Sequence, residues 1–264
     1  MATITLNGKL QEVPNTLMVL DAARQAGIEI PTLCHHEALG PYGACRLCVV
    51  EAEGPALRRC LTTACTLPVA DQLWVETGSP AVQQARKMVL ELLLGRSPGS
   101  RPLLALAERY GVVGSRFGSG RDGDTCVRCG LCVRACRDKI GTAAISFAGR
   151  GQERQVSTEF GELSEVCIGC GACAAICPTQ TIRLMDREQE RVVLRQELVV
   201  ARCRLLRCRS CGASFATGKL RDQVASHLQE QLNESRAALC PKCRRAASVQ
   251  LNLPVWEPGP QVVR

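Results

Sequence analysis

Aromatic side chains are scarce in this sequence: two Trp, two Tyr and four Phe among 264 residues, or 3% of the chain. That excludes a large aromatic core. It also removes the aromatic residues that alternate with basic ones in modules that stack nucleic-acid bases. No apolar run reaches the ~18 residues of a membrane span, so no transmembrane helix is expected. The opening MATITLNGKLQEV reads as a strand, with no basic segment leading into an apolar one. A secretory signal is therefore not expected, and a cytoplasmic setting is. No G-x-G-x-x-G follows a predicted strand and no Ser/His/Asp set suggests itself, so side-chain bond-making chemistry is not expected either.

Cysteine, in contrast, is abundant, with 18 residues. Clustered cysteines in a cytoplasmic chain point to metal binding ahead of disulfides. Metal binding would also supply folding free energy that the small modules otherwise lack. The formal net charge is +8. Its arginines are scattered between cysteines and along helices, as expected of a soluble surface that also compensates anionic thiolate clusters. A cluster-bearing regulatory or nucleic-acid-binding protein, or a structural adaptor held together by its clusters, is the alternative reading.

The N-terminal module, residues 1–78, opens with two short β segments around Asn7-Gly8, a strong hairpin signal. Thr16 is the expected N-cap of a helix ending at Gly27, whose Leu17, Leu20, Ala23 and Arg24 share one face. A cysteine loop and further strands follow, consistent with a small mixed β-grasp sheet. Residues 79–120 contain two amphipathic helical segments broken at RSPGSRP and read as a helical linker.

The central module, residues 121–190, carries an internal repeat. CVRCGLCVRAC and CIGCGACAAIC share C-x2-C-G-x-C-x3-C, each followed by a short apolar segment suited to a strand. Three cysteines at this spacing wrap a cubane, while the fourth ligates the other cluster, as in two-cluster ferredoxins. One [4Fe–4S] cluster would use Cys126, Cys129, Cys132 and Cys177, and the second Cys167, Cys170, Cys173 and Cys136. The glycine after each second cysteine admits close backbone approach. Cys177 precedes Pro178, but Cys136 precedes Arg137, a cation expected to favour the reduced state of the second cluster.

Cys34, Cys45 and Cys48 form a less regular group. The fourth ligand must be Cys60 or Cys65. Cys65, just before an apolar strand, is the choice, giving a [2Fe–2S] site with Cys60 as a bystander. His35 and His36 invite a Rieske-type reading, but four cysteines suffice and adjacent histidines point apart. They are expected to pack or to hydrogen-bond around the site. In residues 198–251, Cys208, Cys211, Cys240 and Cys243 form two paired knuckles around a helix-like insert, the pattern of a structural zinc-ribbon-like unit. A third [4Fe–4S] cluster is the alternative there, and Cys203 is left spare. The tail, 252–264, is expected to be extended.

PTLCHHEALGPYGACRLCVVEAEG followed by ACTLPVADQLWVET resembles the [2Fe–2S] domain opening the large iron–sulfur subunit of complex I and its NAD-linked hydrogenase and formate dehydrogenase relatives. Residues 124–185, including RACRDKIGTAAISFAGRG, resemble the two-cubane ferredoxin domain of the hydrogenase and formate dehydrogenase branch. The resemblance implies an α+β iron–sulfur electron-transfer subunit. Its partners would be a flavin-containing NAD(P)H dehydrogenase subunit and a catalytic oxidoreductase subunit or ferredoxin. That family usually carries a cluster held by one histidine and three cysteines between these domains. Residues 89–117 contain neither residue type, so that cluster is not expected here. The [2Fe–2S] site would then approach the cubanes directly, or another subunit would bridge them.

Overall fold

The computed structural model describes residues 1–118, 123–228 and 238–250. The expected extended tail, 252–264, lies outside the described residues, as do residues 229–237 of the expected C-terminal helix.

The N-terminal module is a five-stranded sheet of order β2-β1-β5-β3-β4, made of β1 (Ala2–Leu6), β2 (Lys9–Val13), β3 (Val49–Gly54), β4 (Leu57–Thr63) and β5 (Trp74–Glu76). β1 and β5 run parallel and the other neighbours antiparallel, as expected of a mixed β-grasp sheet. Asn7 and Gly8 turn the first hairpin, both at positive φ. Helix α1 (Val19–Gln25) buries Val19, Leu20, Ala22 and Ala23 against Ile4, Leu6, Val50 and Val75. The helix starts later than the Thr16 cap predicts, and Met18 occupies the cap position without a side-chain bond. The physical reason is tertiary. The Val19 and Leu20 N–H groups donate to the carbonyls of Leu67 and Ala64, each at 2.9 Å, so a side-chain cap is not needed for them.

Helices α2 (Pro80–Arg96) and α3 (Arg101–Arg109) form the connecting segment. Ser79 caps α2, its Oγ accepting from the Val82 N–H at 3.3 Å, and Pro80 occupies the first turn. Leu90, Leu94, Leu103 and Ala107 of this pair share one buried core with Cys34, Cys45, Leu47, Cys129 and Leu131. The helices therefore weld the N-terminal module to the central one.

The central module repeats a cysteine loop and a short helix, α4 (Leu131–Arg134) and α5 (Ala172–Ala175). A π-helical turn, Ala135–Ile140, extends α4. Strands β6 (Ser146–Ala148) and β7 (Gln155–Ser157) form a hairpin between the repeats. Strands β8 (Ile182–Arg187), β9 (Glu190–Arg195), β10 (Leu198–Arg207) and β11 (Ser214–Thr217) form an antiparallel sheet of order β11-β10-β9-β8. β10 thus joins the segment after residue 198 to the sheet of the central module. Helices α6 (Gly218–Leu228) and α7 (Pro241–Gln250) complete the described chain.

Candidate iron–sulfur and metal sites

The loop between α1 and β3, together with the turn after β4, gathers Cys34, Cys45, Cys48 and Cys65, all buried. Their thiols form two hydrogen-bonded pairs, Cys34 with Cys45 and Cys48 with Cys65. Within each pair one thiol keeps the proton and the other gives it up easily. The Cys34 bond lowers Cys45 to about 6, and the Cys48 bond lowers Cys65 to about 7. Backbone N–H groups of Leu33 and Cys45 donate to the sulfurs of Cys45 and Cys34, each at 3.4 Å. Two thiol pairs fit a cluster of two irons, each taking two thiolates. Cys60 is exposed on β4, away from this set.

The two histidines diverge. His35 Nδ1 lies 3.2 Å from Arg24 Nη1, and its Nε2 is 3.8 Å from Asp21. Burial and the Arg24 charge hold His35 below its usual pKa. His36 Nδ1 accepts from the Ala38 N–H at 3.1 Å.

In the central module, two small cavities have crossed linings. One is walled by Cys126, Cys129, Cys132 and Cys177 with Val127, Val156 and Ile182. The other is walled by Cys136, Cys167, Cys170 and Cys173 with Ile140, Val193 and Val200. Each therefore takes three cysteines from one repeat and the last cysteine of the other. Gly130 and Gly171 start the short helices at φ 78° and 83°. A Cβ on Gly130 would lie 3.0 Å from the Tyr42 ring, and one on Gly171 would lie 2.7 Å from Leu184, so both positions need glycine. Burial pushes the Cys129 and Cys173 thiols up to about 12, a cost that falls once a metal takes the place of the proton. Hydroxyls flank the crossing cysteines: Thr142 Oγ1 lies 3.3 Å from Cys136 Sγ, and Thr179 Oγ1 lies 3.7 Å from Cys177 Sγ. Ser97 at the end of α2 donates to the Cys126 carbonyl at 2.7 Å, tying the linker to the first cavity.

Arg137, expected from its sequence position to act on the second cluster, is exposed. Its Nε donates to Asp138 at 2.6 Å. The guanidinium is paired and solvated rather than turned to the cavity. The cation that the spacing did not single out is Arg134, inside CVRAC and buried. Its Nη1 donates to the Gly40 carbonyl at 2.6 Å, and its guanidinium stacks 4.5 Å from the Tyr42 ring centroid. The two cysteine regions are thus in direct contact. The charge of Cys45 acts on Cys129, and that of Cys173 on Cys132.

Near the C-terminus, Cys208, Cys211, Cys240 and Cys243 place all four sulfurs within 4.8 Å of one another, with Cys211 and Cys240 3.8 Å apart. Four thiolates around one ion at ~2.3 Å sit about 3.8 Å apart at tetrahedral angles. A cubane puts each thiolate on a different iron and spreads them wider. The Cys240 N–H donates to Cys208 Sγ at 3.2 Å. Backbone N–H groups of Cys240 and Cys211 lower Cys208 to about 6. The architecture departs from a ribbon. Cys208 and Cys211 sit in the β10–β11 hairpin, but Pro241 opens a helix carrying Cys243 instead of a second knuckle turn. Proline preorganises the first helical turn, and the following KCRRAAS favours helix. Cys203 is not spare in space. It is buried beside Cys167, donating to the Cys167 carbonyl at 3.4 Å, and its thiol is lowered to about 7 by its bond with the Cys167 thiol.

Residues 1–80 match the 2Fe-2S iron-sulfur cluster binding domain, residues 121–185 a 4Fe-4S dicluster domain, and residues 166–217 a second 4Fe-4S dicluster family. A chain in the crystal structure of an NAD+-reducing [NiFe]-hydrogenase in the H2-reduced state is 31% identical. The match covers 68% of this chain and 85% of that one, with a TM-score of 0.58. This chain belongs to the iron–sulfur subunit family of NAD(P)H-linked hydrogenases and complex I type oxidoreductases. Among curated members of this family, the NADP-reducing hydrogenase subunit HndD of Solidesulfovibrio fructosivorans is 38% identical, over 68% of this chain and 35% of its own length. The NADH-ubiquinone oxidoreductase 75 kDa subunit of Reclinomonas americana is 32% identical, over 60% and 26%. The chain thus spans about a third or a quarter of these iron–sulfur subunits. Among the described residues, no helix is long and apolar enough to cross a membrane.

Proposed function

We propose that this chain is an electron-relay subunit of a multisubunit NAD(P)H-linked oxidoreductase. In this reading a [2Fe–2S] cluster is held by Cys34, Cys45, Cys48 and Cys65. One [4Fe–4S] cluster is held by Cys126, Cys129, Cys132 and Cys177, and the other by Cys167, Cys170, Cys173 and Cys136. The observation that carries it is the pair of crossed, four-cysteine cavities, which match the ligand exchange of two-cluster ferredoxins. When bound, such clusters supply reversible one-electron carriage. The chain's own residues hold the thiols in apolar walls, exclude water and fix the separation of the sites. The contact between the Cys34–Cys48 loop and α4 supports direct communication between the [2Fe–2S] site and the first cubane, without an intervening module.

For Cys208, Cys211, Cys240 and Cys243 we infer a structural zinc ion, because all four sulfurs fit around a single tetrahedral ion. A third [4Fe–4S] cluster is the second reading, favoured by the dicluster match over residues 166–217. The relatives' names, an NADP-reducing hydrogenase subunit and an NAD+-reducing hydrogenase, support a nicotinamide-linked complex of hydrogenase type. Within it we infer a flavin-containing NAD(P)H dehydrogenase subunit and a catalytic subunit or ferredoxin as partners.

Anaerobic purification of the native complex, with metal analysis and electron paramagnetic resonance of this subunit, tests the reading. About ten irons and one zinc are expected, from one binuclear and two tetranuclear clusters. Roughly fourteen irons without zinc would select the third cubane. A colourless protein binding only zinc, silent after dithionite, would overturn the relay.

A further inference from the structure

Three arginines are buried among the described residues: Arg86, Arg134 and Arg195. Arg86 and Arg134 aim their guanidinium nitrogens at backbone carbonyls, those of Val49 for one and of Gly40 and Cys34 for the other. Arg195 does neither. It ends β9, paired across the sheet with Ile182 and Leu198, and is 7% exposed. Among the described residues its guanidinium makes no hydrogen bond, ion pair or ring contact, and its Nε is fully buried without a partner. A buried cation without a counter-charge costs several kcal/mol of effective desolvation, so folded proteins pair such groups.

The side chain lines the cavity formed by Cys126, Cys129, Cys132 and Cys177. It does not line the cavity formed by Cys136, Cys167, Cys170 and Cys173. An apolar gap touching Cys173 lies on its other side, walled by Ile145, Val193 and Val200. Arg195 also borders an open groove that carries Asp124 and Glu197, and it bonds neither of them. Four thiolates holding a cluster in the first cavity would supply the counter-charge that its buried Nε lacks.

We propose that Arg195 is the counter-cation of the cluster held by Cys126, Cys129, Cys132 and Cys177 and raises its reduction potential. This rests on the ligand sets proposed above. Reduction adds one negative charge to the cluster, so a nearby fixed cation favours the reduced form and raises the potential. The other cysteine set has its own nearby cations: Arg191, which donates to the Gly169 carbonyl at 3.1 Å, and Lys219, whose charge acts on Cys167. Arg195 is assigned to the first cavity alone. It is a positioning residue: it acts through charge and ligates nothing.

The test is a redox titration of the full, anaerobically loaded chain followed by electron paramagnetic resonance, in the wild type, Arg195→Met and Arg195→Lys. R195M should shift one cubane potential downward while the [2Fe–2S] centre and the other cubane stay in place. R195K should restore most of the wild-type value. The shifted signal should be the one lost in Cys129→Ala. Unchanged potentials in R195M at full iron content, or equal shifts in both cubanes, would overturn the proposal. If R195M does not load, R195Q carries the titration, since it also removes the charge, and an unshifted cubane there overturns it equally. Wild-type protein without two cubanes would instead overturn the ligand assignment beneath it.

Discussion

Arg134 Nη2 donates to the carbonyl of Cys34 at 2.8 Å, joining residues one hundred positions apart. With the Gly40 bond and the Tyr42 stack, this one side chain fastens the N-terminal cysteine loop to the helix between Cys132 and Cys136. Arg134→Ala leaves two carbonyls short of a charged donor. At ~1.5–3 kcal/mol for such a bond, and without full additivity, the loss should be roughly 2–4 kcal/mol. Thermal melting of the loaded protein under anaerobic conditions reads it. Arg134→Lys should recover less than half, because an ammonium lacks the planar fork that bonds two carbonyls and stacks on a ring. A melting point unmoved by R134A would refute this account of the contact.

Cys60 and Cys65 offer a clean contrast. Cys65 is buried and paired with Cys48, whereas Cys60 faces solvent on β4. Cys60→Ser should keep full iron and the binuclear spectrum. Cys65→Ala should lose both irons of that site while the other clusters remain. The reverse pattern in iron analysis would exchange the two residues' roles.

Arg137 should be inert in redox terms. It is exposed and paired with Asp138, and water screens what charge remains. Arg137→Pro is expected to leave every potential unchanged. A shifted cubane in that variant would mean that sequence adjacency to Cys136 outweighs the observed pairing.

Acid should empty the C-terminal site. Cys208 is lowered to about 6, so it is a thiolate above that pH and gains a proton below it. Zinc must compete with that proton and with the one on Cys243, whose thiol is raised to about 12, so its apparent affinity should fall as pH drops and more steeply below 6. A chromogenic chelator assay between pH 8 and 5 would register the release. Affinity that stays flat across this window would contradict the role given to Cys208.

The grouping of the central cysteines was readable from the residues alone, because the repeated C-x2-C-x2-C-x3-C spacing suits a cubane. Both cavities contain the cysteines that the repeat predicts. The choice of Cys65 over Cys60 followed from the strand after it. The buried arginines were not readable: in one dimension, Arg134 and Arg195 look like any surface cation. Only the packing of distant segments shows that they are enclosed. The helix in the second cysteine pair was not readable from the C-x2-C signature, which says nothing of Pro241 starting a helix there. The late start of α1 escaped for a related reason, since its first N–H groups bond across the fold to Ala64 and Leu67.

The core shared by α2, α3, Cys34, Cys45, Cys129 and Leu131 has a mechanical consequence. Cutting the chain at the end of the first sheet would strip apolar surface from both halves, so neither half is a free-standing bead. Heating should accordingly bleach the binuclear and tetranuclear chromophores together, in one cooperative step.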